Sequence, residues 1–518
     1  MGILLLLLFL AGVLRFARLD TPDQLIFDEL YYAKDACLYA GLGEGRCETP
    51  RATEQSWVHP PLGKWIIATG ILLYGYSPMG YRAMAAVFGT LLVFLVYVLA
   101  RKLFRDRWVA GAAAFLVATD FLLIVQSRVA MLDIFVAFFA VLGFVFLAFD
   151  RERMLLLREH ARAGASGKAP AREPEWRALA GAAFGMGLAV KWSGIWALLA
   201  GLALASAWSF RVARLRYRAS EDLEEHRSYV LREIFSTELA FLILPALVYL
   251  LAYLHWFASN GFAFAEFGKL QASMYDFHAG LQAEHTYSSR ALTWPLILRP
   301  VAYFYEAKPD PAHVMAVANP GTWWAALGAG IWLVFRTLRR WRPEGFVAAA
   351  WFTQYAAWVI TTDPAIASRF RQILIAGYLL AVVPITIWLF RRSLRTNIDW
   401  SPRQVAVIAG YLFAALIGLP ILLLMAPERL AGGRSAIFLF YMTPIVPFMM
   451  IALAAALGAI RDLGTSSQVA DIARAWRAAP VLYLALIAAS LIFFYPVLAG
   501  LPLPSEDWMN RMIFQSWI

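Results

Sequence analysis

The chain has 518 residues, of which 61% are hydrophobic, 15% aromatic and only 16% charged, with a net charge of +11. A soluble globular protein has about 25% charged and about 45–50% apolar residues, so a water-soluble globule of this balance would expose apolar surface it cannot cover. Disorder, collagen, coiled coil and a disulfide-rich scaffold are excluded by the same numbers, and an all-α polytopic membrane protein remains.

About thirteen apolar stretches are long enough, at roughly 17–25 residues, to cross a bilayer. They are expected at 2–18, 80–100, 108–126, 130–149, 178–190, 193–210, 238–257, 320–335, 346–361, 372–390, 404–425, 437–459 and 480–499. The first has neither a basic region before it nor a small-residue cleavage site after it, and Arg15 and Arg18 close its far end. It reads as the first membrane helix, with the N-terminus inside. Of the 46 basic residues, 28 fall in the alternate short loops 101–107, 151–177, 211–235, 336–342, 391–403 and 461–477. The positive-inside rule makes that side cytoplasmic. The positive charge is therefore a topology signal and does not point to nucleic acid. Loops 19–79, 258–318, 362–371, 426–436 and the tail 500–518 fall outside.

No cytoplasmic loop has room for a nucleotide-binding domain. A Walker A pattern is absent, and no Asp-x-Asp pair is present to hold a nucleotide-sugar metal. Chemistry at the outer side needs an activated group already in the membrane, such as a lipid-linked one.

In the first external loop, Phe27, Leu30, Tyr31 and Leu38 follow helical spacing, and Gly41 and Gly43 end the run. This predicts an interfacial helix with Asp28 and Glu29 in its first turn. Acidic residues there either complement the helix dipole or do chemistry at the membrane surface. A second interfacial or re-entrant helix is expected to start near Pro61 and run to about Tyr76. Lys64 would project from its first turn, either as a phosphate ligand beside free N–H groups or snorkelling to lipid headgroups. Cys37 and Cys47 are the two cysteines, and an external disulfide between them is feasible.

Arg15, Arg82, Arg128 and Lys191 recur at the outer ends of spans, where a charge is either a headgroup anchor or part of a group around one acidic turn. Asp133 has the choice of bridging a neighbouring cation or capping its own helix. In the second external loop, His278 and His285 are interleaved with Tyr287 and other aromatic and hydroxyl residues. That mixture suits sugar recognition better than a zinc site, which would need a third ligand; an ordered surface loop is the plainer alternative.

Several blocks resemble the protein O-mannosyltransferase family: Phe27-Asp28-Glu29, His59-Pro60-Pro61-Leu62-Gly63-Lys64, Ser127-Arg128 with Leu132-Asp133, and Val190-Lys191-Trp192-Ser193-Gly194. Phe277-His278 with Leu281, His285-Thr-Tyr287, Asn319-Pro320 with Trp323-Trp324, and Phe438-Leu-Phe440-Tyr441 with Pro444 and Pro447-Phe448 extend the likeness over nearly the whole chain. The resemblance implies one multi-spanning domain, residues 1–518, with the GT-C fold. It also implies inverting transfer of mannose from polyprenyl-phosphate-mannose to Ser or Thr of exported proteins, at the outer face of the plasma membrane. Loop 258–318 is too short for the large lumenal MIR domain of the eukaryotic members, so the likeness is to the bacterial branch.

By the same resemblance, Asp28 is the catalytic base, and Glu29 orients the acceptor or the donor sugar. Lys64, Arg82, Arg128 and Lys191 neutralise the donor phosphate, while His59, His278, His285 and Tyr287 form the substrate-facing set. No metal ligand is assigned and no cofactor beyond the lipid-linked co-substrate is required, although related folds use a divalent metal. The expected partners are the lipid donor, membrane lipids and exported acceptor proteins, met as they emerge from the secretion machinery. An enzyme using the same donor class on a lipid or glycan acceptor is the alternative. A transporter would place ionisable residues at mid-membrane, often with internal repeats, and the sequence shows neither.

Overall fold

The computed structural model describes residues 2–47, 56–162, 176–219, 223–281, 284–307, 309–339, 343–363, 366, 369 and 436–518. Eleven of the expected spans lie on these residues; those at 372–390 and 404–425, and most of loops 362–371 and 426–436, lie outside them. Among the described residues, six helices are long and apolar enough to cross a membrane: Pro78–Phe104, Asp133–Glu159, Trp192–Tyr217, Arg227–Ala252, Val446–Ser466 and Ala470–Ala499.

The chain opens with α1 (Gly2–Phe16), whose Ile3, Leu5, Leu6 and Phe9 point outward while Ala11 and Arg15 are buried. The first external loop holds α2 (Glu29–Tyr39), α3 (Glu44–Cys47) and α4 (Leu62–Tyr74). Gly41 and Gly43 both have positive φ, the conformation that lets the chain turn out of α2. A disulfide joins Cys37 to Cys47 with Cα atoms 5.5 Å apart, fastening α3 to α2. α5 (Pro78–Phe104) starts at Ser77, whose hydroxyl accepts from the Gly80 N–H, and has proline at its start, a favourable N-cap pair.

The expected span at 108–126 is broken in two, α6 (Arg107–Thr119) and α7 (Phe121–Gln126). The cause is Asp120, whose carboxylate accepts from Leu123 N–H and from the Trp323 indole at 3.1 Å, capping a new helix inside the bundle. α8 (Asp133–Arg162) packs against α5, α9 (Trp176–Val190) and α10 (Ile195–Ala219). α11 (Leu223–Glu238) runs through a π-helical stretch, Leu239–Ile243, into α12 (Leu244–Ala252). At Gly181 a Cβ would lie 1.6 Å from the Ala240 carbonyl oxygen. Only glycine permits that approach of α9 to the π-helical turn, and membrane helices associate largely through such close packing.

Beyond α13 (Leu254–Ser259) and α14 (Phe264–Gly280), the second external loop contains two strands that the all-α expectation did not include. β1 (Val301–Glu306) and β2 (Ala312–Ala316) pair antiparallel, Val301 opposite Ala316 and Glu306 opposite Ala312, with an irregularity between Ala302 and Phe304. The run is short and bounded by Pro300, Pro309 and Pro311, so it reads as loop in sequence. Tertiary packing of β2 against α7 and the last long helix supports the hairpin. α15 (Pro320–Arg339), α16 (Pro343–Thr362), α17 (Val446–Ser466), α18 (Ala470–Ala499) and α19 (Ser505–Met509) complete the described bundle.

Candidate active site

The acidic turn lies where the end of α1, the start of α5, the start of α8, the end of α9 and the segment before α17 meet. Phe27, which precedes it, has φ of 51°, a conformation that a bulky side chain rarely adopts and that costs on the order of 1–3 kcal/mol. Four rings hold it there. Tyr303 of β1 stacks on it at 4.4 Å, while Phe440, Phe438 and His285 meet it edge-on at 5.7, 6.3 and 6.4 Å. The second external loop and the chain before α17 thus shape the turn.

The two adjacent carboxylates have different surroundings. Glu29 is fully buried. Its Oε1 accepts from Arg82 Nε at 2.8 Å and Ala130 N at 2.9 Å, and its Oε2 accepts from Arg82 at 2.8 Å and Ile26 N at 3.0 Å. Asp28 is half-buried, at the N-cap of α2, and accepts from the Tyr32 hydroxyl at 3.4 Å. Helical spacing sets Asp28, Tyr32 and Asp35 on one side of α2. Burial, then the nearby Asp28 and Asp133 carboxylates, push the Tyr32 phenol well above its ordinary range, so Tyr32 stays a proton donor to the turn.

Of the four expected phosphate ligands, Arg82 has no donor left over and Arg128 is partly engaged by backbone carbonyls. Arg82 donates to both Glu29 oxygens and to the carbonyls of Leu19, Pro22 and Gln24. Those five bonds engage every N–H of a guanidinium, which leaves none for a phosphate. Arg128 donates to the carbonyls of Leu14, Arg15, Ala17 and Arg18, closing the otherwise unsatisfied C-terminal end of α1. Glu29 has both oxygens occupied and no exposure, and so fixes the turn. Spacing alone could not separate these roles, because it does not report how many hydrogen bonds a charge already makes.

The two lysines sit differently. Lys64 Nζ lies 2.8 Å from Asp35 on the Asp28 side of α2 and also donates to the Ser56 carbonyl. Lys191 Nζ lies 2.9 Å from Asp133 and 4.7 Å from the centre of the Tyr441 ring. Asp133 therefore bridges a cation. The pairing was open in sequence because Asp133 and Lys191 lie on different helices, α8 and the end of α9. Tyr303, whose phenol burial and then the carboxylates of Asp133 and Asp28 also push well up, accepts from Gln126 Nε2 at 2.6 Å.

The four residues expected to face substrate lie around the same turn. His59 lies 5.9 Å from the Tyr32 ring and stacks on His278 at 5.0 Å. His278 Nε2 is 2.8 Å from the Val58 carbonyl, and Trp192, next to Lys191, lies 5.9 Å from the His278 ring. His285 contacts Phe438 at 4.9 Å and Tyr287 at 5.8 Å. Sequence reading missed Tyr32, Asp35, Tyr303 and Tyr441. The first two were visible as the residues four and seven beyond Asp28 on one helix face; the others come from distant segments. Among the described residues, no group of three His, Cys, Asp or Glu side chains is arranged to hold a metal ion.

Residues 5–258 match the family profile of dolichyl-phosphate-mannose-protein mannosyltransferase, and residues 262–424 match that of the C-terminal four-helix membrane region of protein-O-mannosyltransferase. A polyprenol-phosphate-mannose–protein mannosyltransferase of Mycolicibacterium smegmatis strain MKD8 is 27% identical over 548 residues, covering 98% of this chain and 91% of its own. Its counterpart from Corynebacterium glutamicum is 25% identical over 504 residues, covering 89% of this chain and 81% of its own. The Saccharomyces cerevisiae protein O-mannosyltransferase Pmt1-Pmt2 complex bound to the sugar donor superposes with a TM-score of 0.63 at 14% identity, covering 100% of this chain and 92% of that one. The superposition establishes a shared GT-C fold.

Proposed function

The chain belongs to the protein O-mannosyltransferase family, and from that premise we propose that it transfers mannose from polyprenyl-phosphate-mannose to Ser or Thr hydroxyls of exported proteins. The observation that carries the assignment is the division of labour at the acidic turn. Glu29 is locked by Arg82 and two backbone N–H groups, while its neighbour Asp28 is half-buried and accepts from the Tyr32 hydroxyl, with the Lys64–Asp35 and Lys191–Asp133 pairs formed by residues of the same region.

In the proposed reaction the acceptor hydroxyl attacks the anomeric carbon on the face opposite the phosphate, and Asp28 takes its proton. The bond from the anomeric carbon to the phosphate oxygen breaks, and the lipid phosphate leaves with the electron pair. Product configuration is therefore inverted. Charge develops on the leaving phosphate, and Lys64 and Lys191 are the cations on the Asp28 side of the turn that stabilise it. Asp35 and Asp133 hold these ammonium groups in place between turnovers. His59, His278, His285 and Tyr287 present rings and hydrogen-bonding edges to the sugar and acceptor. The residues alone supply base and cations, so the scheme uses no metal step.

The side assignment rests on charge: basic loops flank the end of the bundle away from the acidic turn, which supports an extracytoplasmic site in the plasma membrane. Acceptors emerging from the secretion machinery would meet it there. The test is to incubate membranes containing the protein with labelled polyprenyl-phosphate-mannose and an exported Ser/Thr/Pro-rich peptide. Label in the peptide is expected. Label confined to lipid or glycan overturns the protein acceptor in favour of the other acceptor class.

A further inference from the structure

At the end of α5 remote from the acidic turn lies an open cavity of about 520 Å³ lined by Tyr97, Val98, Arg101, Lys102, Arg105 and Glu152. The step from Arg82, which holds Glu29, to Arg101 on the same continuous helix rises roughly 29 Å at 1.5 Å per residue. That matches the thickness of a bilayer's hydrocarbon core, so the cavity opens at the headgroup level of the opposite leaflet.

Its charge is unbalanced. Glu152 faces Lys102 at 2.6 Å and Arg105 at 3.6 Å, while Arg101 makes no ion pair among the described residues. Three cations thus meet one carboxylate. The Lys102 ammonium is fixed by lying 3.8 Å from the Phe149 ring centre. Arg105, at the left-handed C-cap of α5 with φ of 57°, keeps its side chain 77% exposed.

The helix face below the cavity is apolar and open. Leu91 and Phe94 are 43% and 40% exposed, and with half-buried Val98 and Arg101 and exposed Arg105 they follow three- and four-residue steps along one face. A greasy stripe therefore runs up the span and ends in a cationic cup. A zwitterionic headgroup would bring its own cation against that cup, whereas a headgroup of net negative charge complements it.

We propose that this is a binding site for one anionic glycerophospholipid of the leaflet opposite the acidic turn. Its phosphate sits among Arg101, Lys102 and Arg105, and one acyl chain lies along Val98, Phe94 and Leu91. The site is separate from the transferase pocket and does not depend on the function assigned to it.

The experiment uses the full chain purified in detergent micelles, with dioleoylphosphatidylglycerol or dioleoylphosphatidylcholine titrated in and bound lipid counted by native mass spectrometry. One phosphatidylglycerol is expected to be retained in preference to phosphatidylcholine. Each cation near a membrane surface contributes a factor of about five, so Arg101→Gln with Arg105→Gln should weaken that site about 30-fold. Glu152→Gln, which removes the competing carboxylate, should tighten it about fivefold, and it reads in the opposite direction from any loss of folding. Arg101→Lys with Arg105→Lys should retain the lipid. Equal retention of phosphatidylcholine, or unchanged phosphatidylglycerol affinity in both charge variants, overturns the proposal. So does preferential retention of undecaprenyl phosphate at this site.

Discussion

Exchanging the two neighbouring carboxylates for their amides should separate stability from chemistry. Glu29→Gln keeps the shape but removes the charge from a side chain that is fully buried and accepts four hydrogen bonds. The Arg82 guanidinium, itself only 1% exposed, would be left without a counter-ion, and one new N–H₂ would face existing donors. Breaking a buried pair from one side costs about 3–5 kcal/mol. Asp28→Asn, by contrast, changes a half-buried residue whose side chain makes no capping hydrogen bond at the start of α2, so stability should move by less than the ~1 kcal/mol of a lost cap. Loss of a general base lowers turnover by roughly 10²–10⁴-fold. The assay is thermal inactivation in detergent for both variants, beside kcat and donor affinity. Glu29→Gln should lose thermal resistance, and Glu29→Ala combined with Arg82→Ala should destabilise by less than the two single changes together. Asp28→Asn should bind donor, keep its thermal resistance and fail in transfer. A thermally normal Glu29→Gln, or an Asp28→Asn that transfers at the original rate, refutes the division of roles.

Phe27→Gly relieves the positive φ but removes the ring from its aromatic box; kcat should fall about 10–100-fold through misplacement of Asp28, with donor affinity within about twofold. Phe27→Leu should lie between, and full kcat in Phe27→Gly would show that the box does not aim the turn. Lys64→Ala and Lys191→Ala should each weaken donor binding by about 10–100-fold, the worth of a charge-assisted hydrogen bond; isothermal titration with a non-transferable lipid-phosphate sugar reads this, and unchanged affinity would leave that lysine a structural partner of its aspartate. His313 in β2 is buried, accepts at Nδ1 from the Trp508 indole at 3.3 Å, and is pushed down to about 4 by burial. Because the folded form holds the neutral ring, this contribution is present above the unfolded pKa near 6.5. It is lost as pH falls from there to about 4, amounting to roughly 3 kcal/mol. His313→Gln should flatten thermal stability across that window, and an unchanged acid profile would count against it.

The location of the acidic turn was legible because a carboxylate pair after a span, ahead of a helical run, has few ways to fold. The start of α4 was legible too: the helix was expected near Pro61 and to about Tyr76, and it occupies Leu62–Tyr74 with Pro61 as its N-cap. The break at Asp120 was not legible, since an aspartate inside an apolar run looks like any other polar interruption until the Trp323 indole, from α15, meets it. The β-hairpin was hidden for a related reason: Tyr303 is drawn inward by Phe27 and Gln126, contacts that no local pattern encodes.

The amino-acid order alone settled that the chain is a helical membrane bundle, which end carries the basic loops, and which few polar residues lack an apolar excuse. Those follow from transfer free energies and helical period, which act within a window of some twenty residues. Only the folded bundle decided what each charge does. Arg82 and Lys64 look alike as cations near one turn, yet one has every donor engaged by carbonyls and Glu29 while the other meets Asp35 and the Ser56 carbonyl. Hydrogen-bond saturation depends on backbone groups brought together from distant segments, so it comes into being only when the helices pack.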